Sequence, residues 1–328
     1  MKVIAPFLAA ACFAASARAA APYRPAAPVT GVVRIWGNAE MAGIVQRWAN
    51  EFTRFHPQAR LEARMLGSDV AIGALTTGRA DIALLGREPA PQEVKGFEWI
   101  FRYRPRPVEV MTGSLDEPGC SPAVAVLVHK SNPISRLTFA QLDAVFSPGP
   151  HSVRHWGELG LTGAWAGRAI HPYMPGAETG TGTFFRETVL GGARQLGWDR
   201  VTEVEDTAGP GAPPHDAGRK LVRLVAADAD ALAVAPMSAP VPADVKIVAL
   251  ARKEGDEAVL PTRASILARR YPLLRIVRAY VNEAPPKPVD PQVARALDAR
   301  VAEFLRYVLS AEGQAEVEAD GKFLPLAR

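Results

Sequence analysis

The chain has 328 residues, of which 48% are hydrophobic and 22% charged, and its formal net charge is +4. These values exclude a disordered tail, which has too little apolar surface to fold, and a polyelectrolyte that binds nucleic acid through massed Lys and Arg. The length fits about two domains, and 27 Gly with 29 Pro point to many stiff loops.

Residues 1–21 open with Lys2, continue through an apolar, Ala-rich run at 3–15 and close on small residues, among them Ala19, Ala20 and Ala21. This is the layout of a secretory signal peptide with cleavage after Ala19 or Ala21. The apolar run is shorter than the ~20 residues needed to span a bilayer. The expectation is export to the periplasm as a soluble protein. Removal of the signal leaves Cys120 as the one cysteine, so no intramolecular disulfide can form and stability must come from the core. Residues 22–30, rich in Pro and Ala, are expected to be a flexible lead-in.

Folding is expected to begin near Gly31. Residues 32–36 read as a strand. After Gly37-Asn38-Ala39-Glu40, the apolar residues Met41, Ile44, Val45, Trp48, Phe52 and Phe55 recur at helical spacing. His56-Pro57 stops that helix, and residues 59–65 form the second strand candidate. Gly67-Ser68-Asp69 leads into a second helix ending at Gly78, and residues 81–85 read as a short buried strand. Strand, helix, strand, helix, strand in this span implies an α/β unit with right-handed crossovers and a parallel sheet. Each strand then delivers its following turn to one sheet edge, the edge at which open α/β sheets bind ligands.

A second unit starts after the loop at 116–122, with a strand at 123–128. Thr138 and Gln141 have capping-box spacing, flanked by Leu137 and Leu142 as a hydrophobic staple. Residues 170–174 read as a strand, 175–183 as a Gly/Thr-rich loop and Phe184 onward as a helix stopped by Gly191-Gly192. Another strand follows at 230–235, and residues 236–242 are expected to cross back to the first unit. A long helical run ends at Leu309, and Ser310 can cap a final helix.

There is no nucleophile elbow, phosphate-binding Walker loop or zinc helix. His151 and His155 are four apart but follow Pro148 and Pro150 in a loop, which fits a solvated turn better than a metal pair. The chemistry resides instead in three strand-to-helix turns. Glu178-Thr179-Gly180-Thr181-Gly182-Thr183 carries small residues, hydroxyls and free N–H groups ahead of a helix, as an anion cradle requires. Together with the turns at 37–40 and 67–69 it can converge on one cleft that suits an anion or a small polar ligand.

These segments resemble the periplasmic phosphate-binding proteins of ABC importers. The resemblance runs from about Gly31 to Leu326. It is carried by Gly67-Ser68-Asp69 leading to Gly78-Arg79-Ala80-Asp81-Ile82-Ala83, by Val128-His129-Lys130-Ser131-Asn132-Pro133, by Trp156-Gly157-Glu158-Leu159, by Thr179-Gly180-Thr181 with Phe184-Phe185, and by Tyr271-Pro272-Leu273 and Tyr280-Val281-Asn282. The resemblance implies an α/β, two-lobed binding-protein fold in which each lobe has a mostly parallel sheet. Lobe one takes residues 31–120 and 240–328, and lobe two takes 121–239. It implies a non-enzymatic monomer without cofactor or metal that closes over one oxyanion, phosphate first, and passes it to ABC transporter membrane subunits, with no nucleic-acid partner.

The implied ligand residues are Asn38, Ala39, Glu40, Ser68, Asp69, Arg87, Thr179, Gly180 and Thr181, with Arg87 supplying charge. The chain departs from the family at three places. Asn38, Ala39 and Glu40 stand where small hydroxyl residues are usual, Gly86 replaces a hydroxyl residue, and Pro175 stands where an Arg commonly sits. Glu40 and Asp69 would oppose an anion. The alternatives are therefore a divergent scaffold that binds another solute through those carboxylates, and a periplasmic interaction or sensory protein that has lost its ligand.

Overall fold

The computed structural model describes residues 20–191, 195–209, 211, 215–286 and 289–326. The signal segment therefore lies outside the described residues, apart from its last two. In chain order the elements are β1 (Gly31–Gly37), α1 (Ala42–Phe55), β2 (Ala59–Arg64), α2 (Ser68–Thr76), β3 (Ile82–Leu85), α3 (Pro91–Phe101) and β4 (Arg106–Thr112). Next come β5 (Val124–His129), β6 (Arg136–Thr138), α4 (Phe139–Phe146), β7 (His171–Pro175), α5 (Gly180–Val189), β8 (Thr202–Val204), α6 (Ala217–Ala227) and β9 (Ala231–Pro236). The chain ends with β10 (Val245–Ile247), β11 (Ala249–Ala251), α7 (Arg263–Leu267), β12 (Ile276–Val281), α8 (Ala299–Val308) and α9 (Ala311–Asp320).

Two five-stranded sheets, ordered β2-β1-β3-β12-β4 and β10-β5-β9-β7-β8, form the two lobes of an α/β fold. The strands read as crossover units are parallel as expected, β1 to β2 and β3, and β7 to β9, while β8, which was not foreseen, adds a further parallel neighbour to β7. Four of the five strands in each sheet point one way, so each is mostly parallel as expected and mixed only through one reversed strand. β12 runs antiparallel to β3 and β4, and β5 runs antiparallel to β9 and β10, because these strands arrive from the other lobe and not through a helical crossover.

α1 shows how the periodicity sets the packing. Ile44, Val45, Trp48 and Phe52 lie on one face and are buried in the first-lobe core with Val33 and Ile35 of β1 and Phe304 of α8. Apolar burial at ~25 cal/mol per Å² makes that stripe the main stabiliser of the helix. In the second lobe, Thr138 and Gln141 form the expected capping box of α4. Ser310 accepts the Gly313 N–H at the start of α9.

Three expectations change. The chain does not cross back at 236–242. β10 pairs with β5 and β11 pairs with β6, so these strands, beyond the expected limit at residue 239, hydrogen-bond to strands of the middle segment. The return comes instead just before β12. There the backbone of Leu273 accepts from Val124, and that of Arg275 accepts from Gly113, so the two crossings run side by side. Next, α5 starts at Gly180, not Phe184, because Thr179 takes up the Gly182 N–H and turns the loop into helix four residues earlier. Finally, residues 22–30 are docked onto lobe one. Tyr23 is buried, and its hydroxyl bonds His56 Nε2 at 2.6 Å and Glu303 Oε1 at 2.7 Å. Glu303 also accepts the Ala26 N–H, and Val29 is buried.

Tyr23→Phe should lower stability by about 1–3 kcal/mol, the usual cost of leaving buried polar partners unsatisfied, read as a lower midpoint in chemical denaturation. A Cβ at Gly182 would stand 2.1 Å from the Gly176 carbonyl oxygen. Gly182→Ala is therefore expected to displace the 176–182 turn and to lower the thermal midpoint, whereas Gly73→Ala, with open space around it, should not lower it.

Candidate functional site

A cleft of about 370 Å³ lies between the lobes. Seven of the nine expected residues line it: Asn38, Ser68, Asp69, Arg87, Thr179, Gly180 and Thr181. The three strand-to-helix turns therefore converge. No side chain caps α2, whose first turn opens here with Ser68. In α5 the Thr179 hydroxyl takes only the Gly182 N–H, which leaves the N–H groups of Gly180 and Thr181 without a side-chain acceptor among the described residues. Two helix N-termini and the hydroxyls of Ser68 and Thr181 thus face one space, the Thr179 hydroxyl giving its proton to the Gly176 carbonyl at 2.7 Å, an arrangement that favours negative charge.

Ala39 and Glu40 do not line the cleft. Asn38 Oδ1 accepts the Glu40 N–H at 3.0 Å and starts a short 3-10 turn, which carries both residues past the opening. The Glu40 carboxylate lies 4.0 Å from Lys322 Nζ. Asp69 is also answered. Its side chain, 93% exposed, bonds Arg87 Nη2 at 2.9 Å.

The cationic role expected of Arg87 is taken up by its neighbours. Glu93 grips its guanidinium with both oxygens, at 2.8 and 3.0 Å, and Asp69 adds a third contact. Arg87 acts as a strut of the cleft wall with its charge matched.

A different arginine supplies unmatched charge. Arg275, on the returning crossing, is 6% exposed and lines the cleft. It donates to the Gly86 carbonyl at 2.7 Å and lies over the Phe184 ring, 5.3 Å from its centroid. Among the described residues it has no carboxylate within ion-pair distance. Burial pushes its guanidinium down to about 10, with the Glu88 carboxylate opposing, so it stays charged at neutral pH. A Cβ built on Gly180 would sit 3.5 Å from Arg275 Nη2, which puts the cation against the open end of α5.

The departure at Gly86 has a steric origin. A Cβ at Gly86 would fall 1.9 Å from Ser121 Oγ, and that hydroxyl, from the outgoing crossing, donates to the Gly86 carbonyl at 2.8 Å. Ser121 thus brings a hydroxyl against residue 86, where it bonds the carbonyl, and Arg275 brings a guanidinium to the cleft that Pro175 also lines. Sequence reasoning missed both. Ser121 carries no local signal, while Arg275 is set among Leu273, Leu274, Ile276 and Val277, an apolar context in which a charge calls for an explanation.

Part of the cleft lining was also missed. It is formed by Asp206, His215, Gly218 and Ser238. Cys120 is buried beside the site and burial pushes its thiol up to about 12, so it remains protonated. No group of three His, Cys, Asp or Glu among the described residues is placed to hold a metal ion, and no helix among them is long and apolar enough to cross a membrane.

Comparison with known proteins agrees with this architecture. The PBP superfamily domain matches residues 23–312. The chain is 32% identical over 303 residues to the phosphate-binding protein PstS of Pseudomonas aeruginosa, covering 91% of this chain and 84% of that one. It is 24% identical over 298 residues to protein SphX of Synechococcus elongatus, covering 88% and 76%. Among solved structures, PstS from Borrelia burgdorferi superposes with a TM-score of 0.58 at 14% identity, over 90% of this chain and 99% of that one. An ABC-type phosphate transport receptor from Vibrio cholerae gives 0.55 at 17% identity, over 89% and 99%; these two likenesses show the fold. By its sequence match, the chain belongs to the PBP superfamily and, within it, to the family of the PstS phosphate-binding proteins.

Proposed function

We propose that the protein is an exported receptor that holds an oxyanion, phosphate foremost, between its lobes and hands it to the membrane subunits of an ABC importer. The observation that carries this reading is Arg275, a buried guanidinium with no carboxylate partner among the described residues, facing the cleft where the N-termini of α2 and α5 open. A charge removed from water without a counter-ion costs several kcal/mol, and a bound oxyanion is the partner that removes the cost. The ligand set is Arg275, the hydroxyls of Ser68 and Thr181, and the helix N–H groups, with Thr179 capping α5 rather than donating. Ser121 positions the Gly86 carbonyl that holds Arg275. The P. aeruginosa relative is named for phosphate binding, which supports the same anion here. Glu40 and Asp69, the carboxylates that argued against an anion, are answered by Lys322 and Arg87. Export rests on the signal-like residues 1–21, and delivery to an importer on the family.

The test is calorimetric titration of inorganic phosphate into protein stripped of ligand by unfolding and refolding. The native chain should bind, and Arg275→Met should lose about 30-fold or more in affinity, the order expected when a charge-assisted hydrogen bond is removed. The thermal midpoint of the ligand-free variant should stay level or rise, because an apolar side chain of similar length replaces an uncompensated charge. Absence of phosphate binding to the native chain, or equal binding by Arg275→Met, would overturn the reading.

A further inference from the structure

The charge on Arg275 is open to a ligand only while the acidic group beside it stays unpaired with it, and that group is Glu88. Among the described residues, Glu88 is the carboxylate whose charge acts on the Arg275 guanidinium. Two features set the pair close together. Arg275 Nη2 donates to the Gly86 carbonyl at 2.7 Å, and Glu88 follows two residues later, so the Cα atoms of 86 and 88 are at most about 7.6 Å apart. The antiparallel register of β12 and β3 runs from Val281 with Ile82 to Arg278 with Leu85, and three further steps along both chains lead to Arg275 and Glu88.

The two nevertheless form no ion pair, because β3 ends at Leu85 and Glu88 turns to another arginine. Its Oε1 accepts from Arg278 Nη1 at 2.9 Å. Arg278 is fixed in β12 between Leu85 of β3 and Glu109 of β4, and the Glu109 carboxylate lies 3.8 Å from its Nη2. The side chains of Arg278 and Glu88 are 26% and 30% exposed, so their attraction is screened less than that of a fully exposed pair. Glu88 accordingly does not line the ligand cleft but the adjoining hollow, with Arg87 and Glu187.

Resting on the oxyanion reading above, we infer that Arg278 is a positioning residue for anion binding: it holds Glu88 away from Arg275, so that the buried guanidinium takes its counter-ion from solution. Without the Arg278 guanidinium, Glu88 turns to Arg275, and an incoming anion must displace a carboxylate that already compensates the buried charge. Affinity is thus set by the competition of two arginines, three residues apart, for one carboxylate.

Calorimetry with inorganic phosphate on the full, ligand-stripped chain tests this. Arg278→Met should bind about tenfold or more weakly than the native chain, the order of one charge-assisted hydrogen bond. Glu88→Gln, which removes the competing charge, should bind at least as tightly as the native chain. Arg278→Met/Glu88→Gln should return to within about threefold of native, a recovery that damage to β12 alone would not give. Arg278→Met/Glu109→Gln, with the same net charge, should remain weak. Arg278→Gln, neutral but polar, replaces Arg278→Met throughout if the methionine variant does not fold. Native affinity in the single Arg278 variant, no recovery with Glu88→Gln, or equal recovery with Glu109→Gln would overturn the role of Arg278 while leaving the oxyanion reading standing. Failure of the native chain to bind phosphate would overturn both.

Discussion

A guanidinium buried without a carboxylate is the constraint around which this molecule is arranged. The first-lobe arginine at the cleft, Arg87, is matched by Glu93 and Asp69. Among the described residues, Arg275 is held by the Gly86 carbonyl and the face of Phe184, with no carboxylate within ion-pair distance. Those contacts orient it, and the carbonyl offers a partial rather than a full counter-charge. The fold therefore retains an electrostatic debt that an incoming anion removes, and it does so at the one place where two helix N-termini add their own favourable field.

The position of that charge links binding to lobe geometry. Arg275 belongs to the crossing that returns to lobe one, and its own carbonyl accepts the Gly113 N–H of the outgoing crossing. Ser121, on that outgoing segment, shares the Gly86 carbonyl with it. The hinge strands and the ligand set are thus partly the same residues. An anion drawn to Arg275 would sit directly against the two crossings that join the lobes. The same arrangement accounts for Gly86, since any side chain there would collide with the Ser121 hydroxyl.

Much of the fold was legible because its determinants are local. The spacing of Ile44, Val45, Trp48 and Phe52 defines α1, Thr138 and Gln141 cap α4, and Ser310 caps α9. The convergence of Asn38, Ser68 and Thr179 to Thr181 follows from strand direction alone. What escaped depends on contacts distant along the chain. Gly86 and Arg275 are 189 residues apart, and Tyr23 and Glu303 are 280 apart, so neither the cation nor the docked lead-in leaves a local pattern. The edge strand β10 has three residues, too few for periodicity to register, and the expected return to lobe one was placed too early for that reason. Arg87 is a different case. Glu93 lies only six residues away, at the start of α3, so its claim on that guanidinium could have been weighed from spacing.

A crystal structure of the protein with bound phosphate measures the central claim most directly. An oxyanion within hydrogen-bond distance of the Arg275 guanidinium and of the backbone N–H groups of Gly180 or Thr181 is the result this account predicts. An ion seated on Arg87 with the Asp69 and Glu93 contacts broken, or placed outside the cleft altogether, would contradict it.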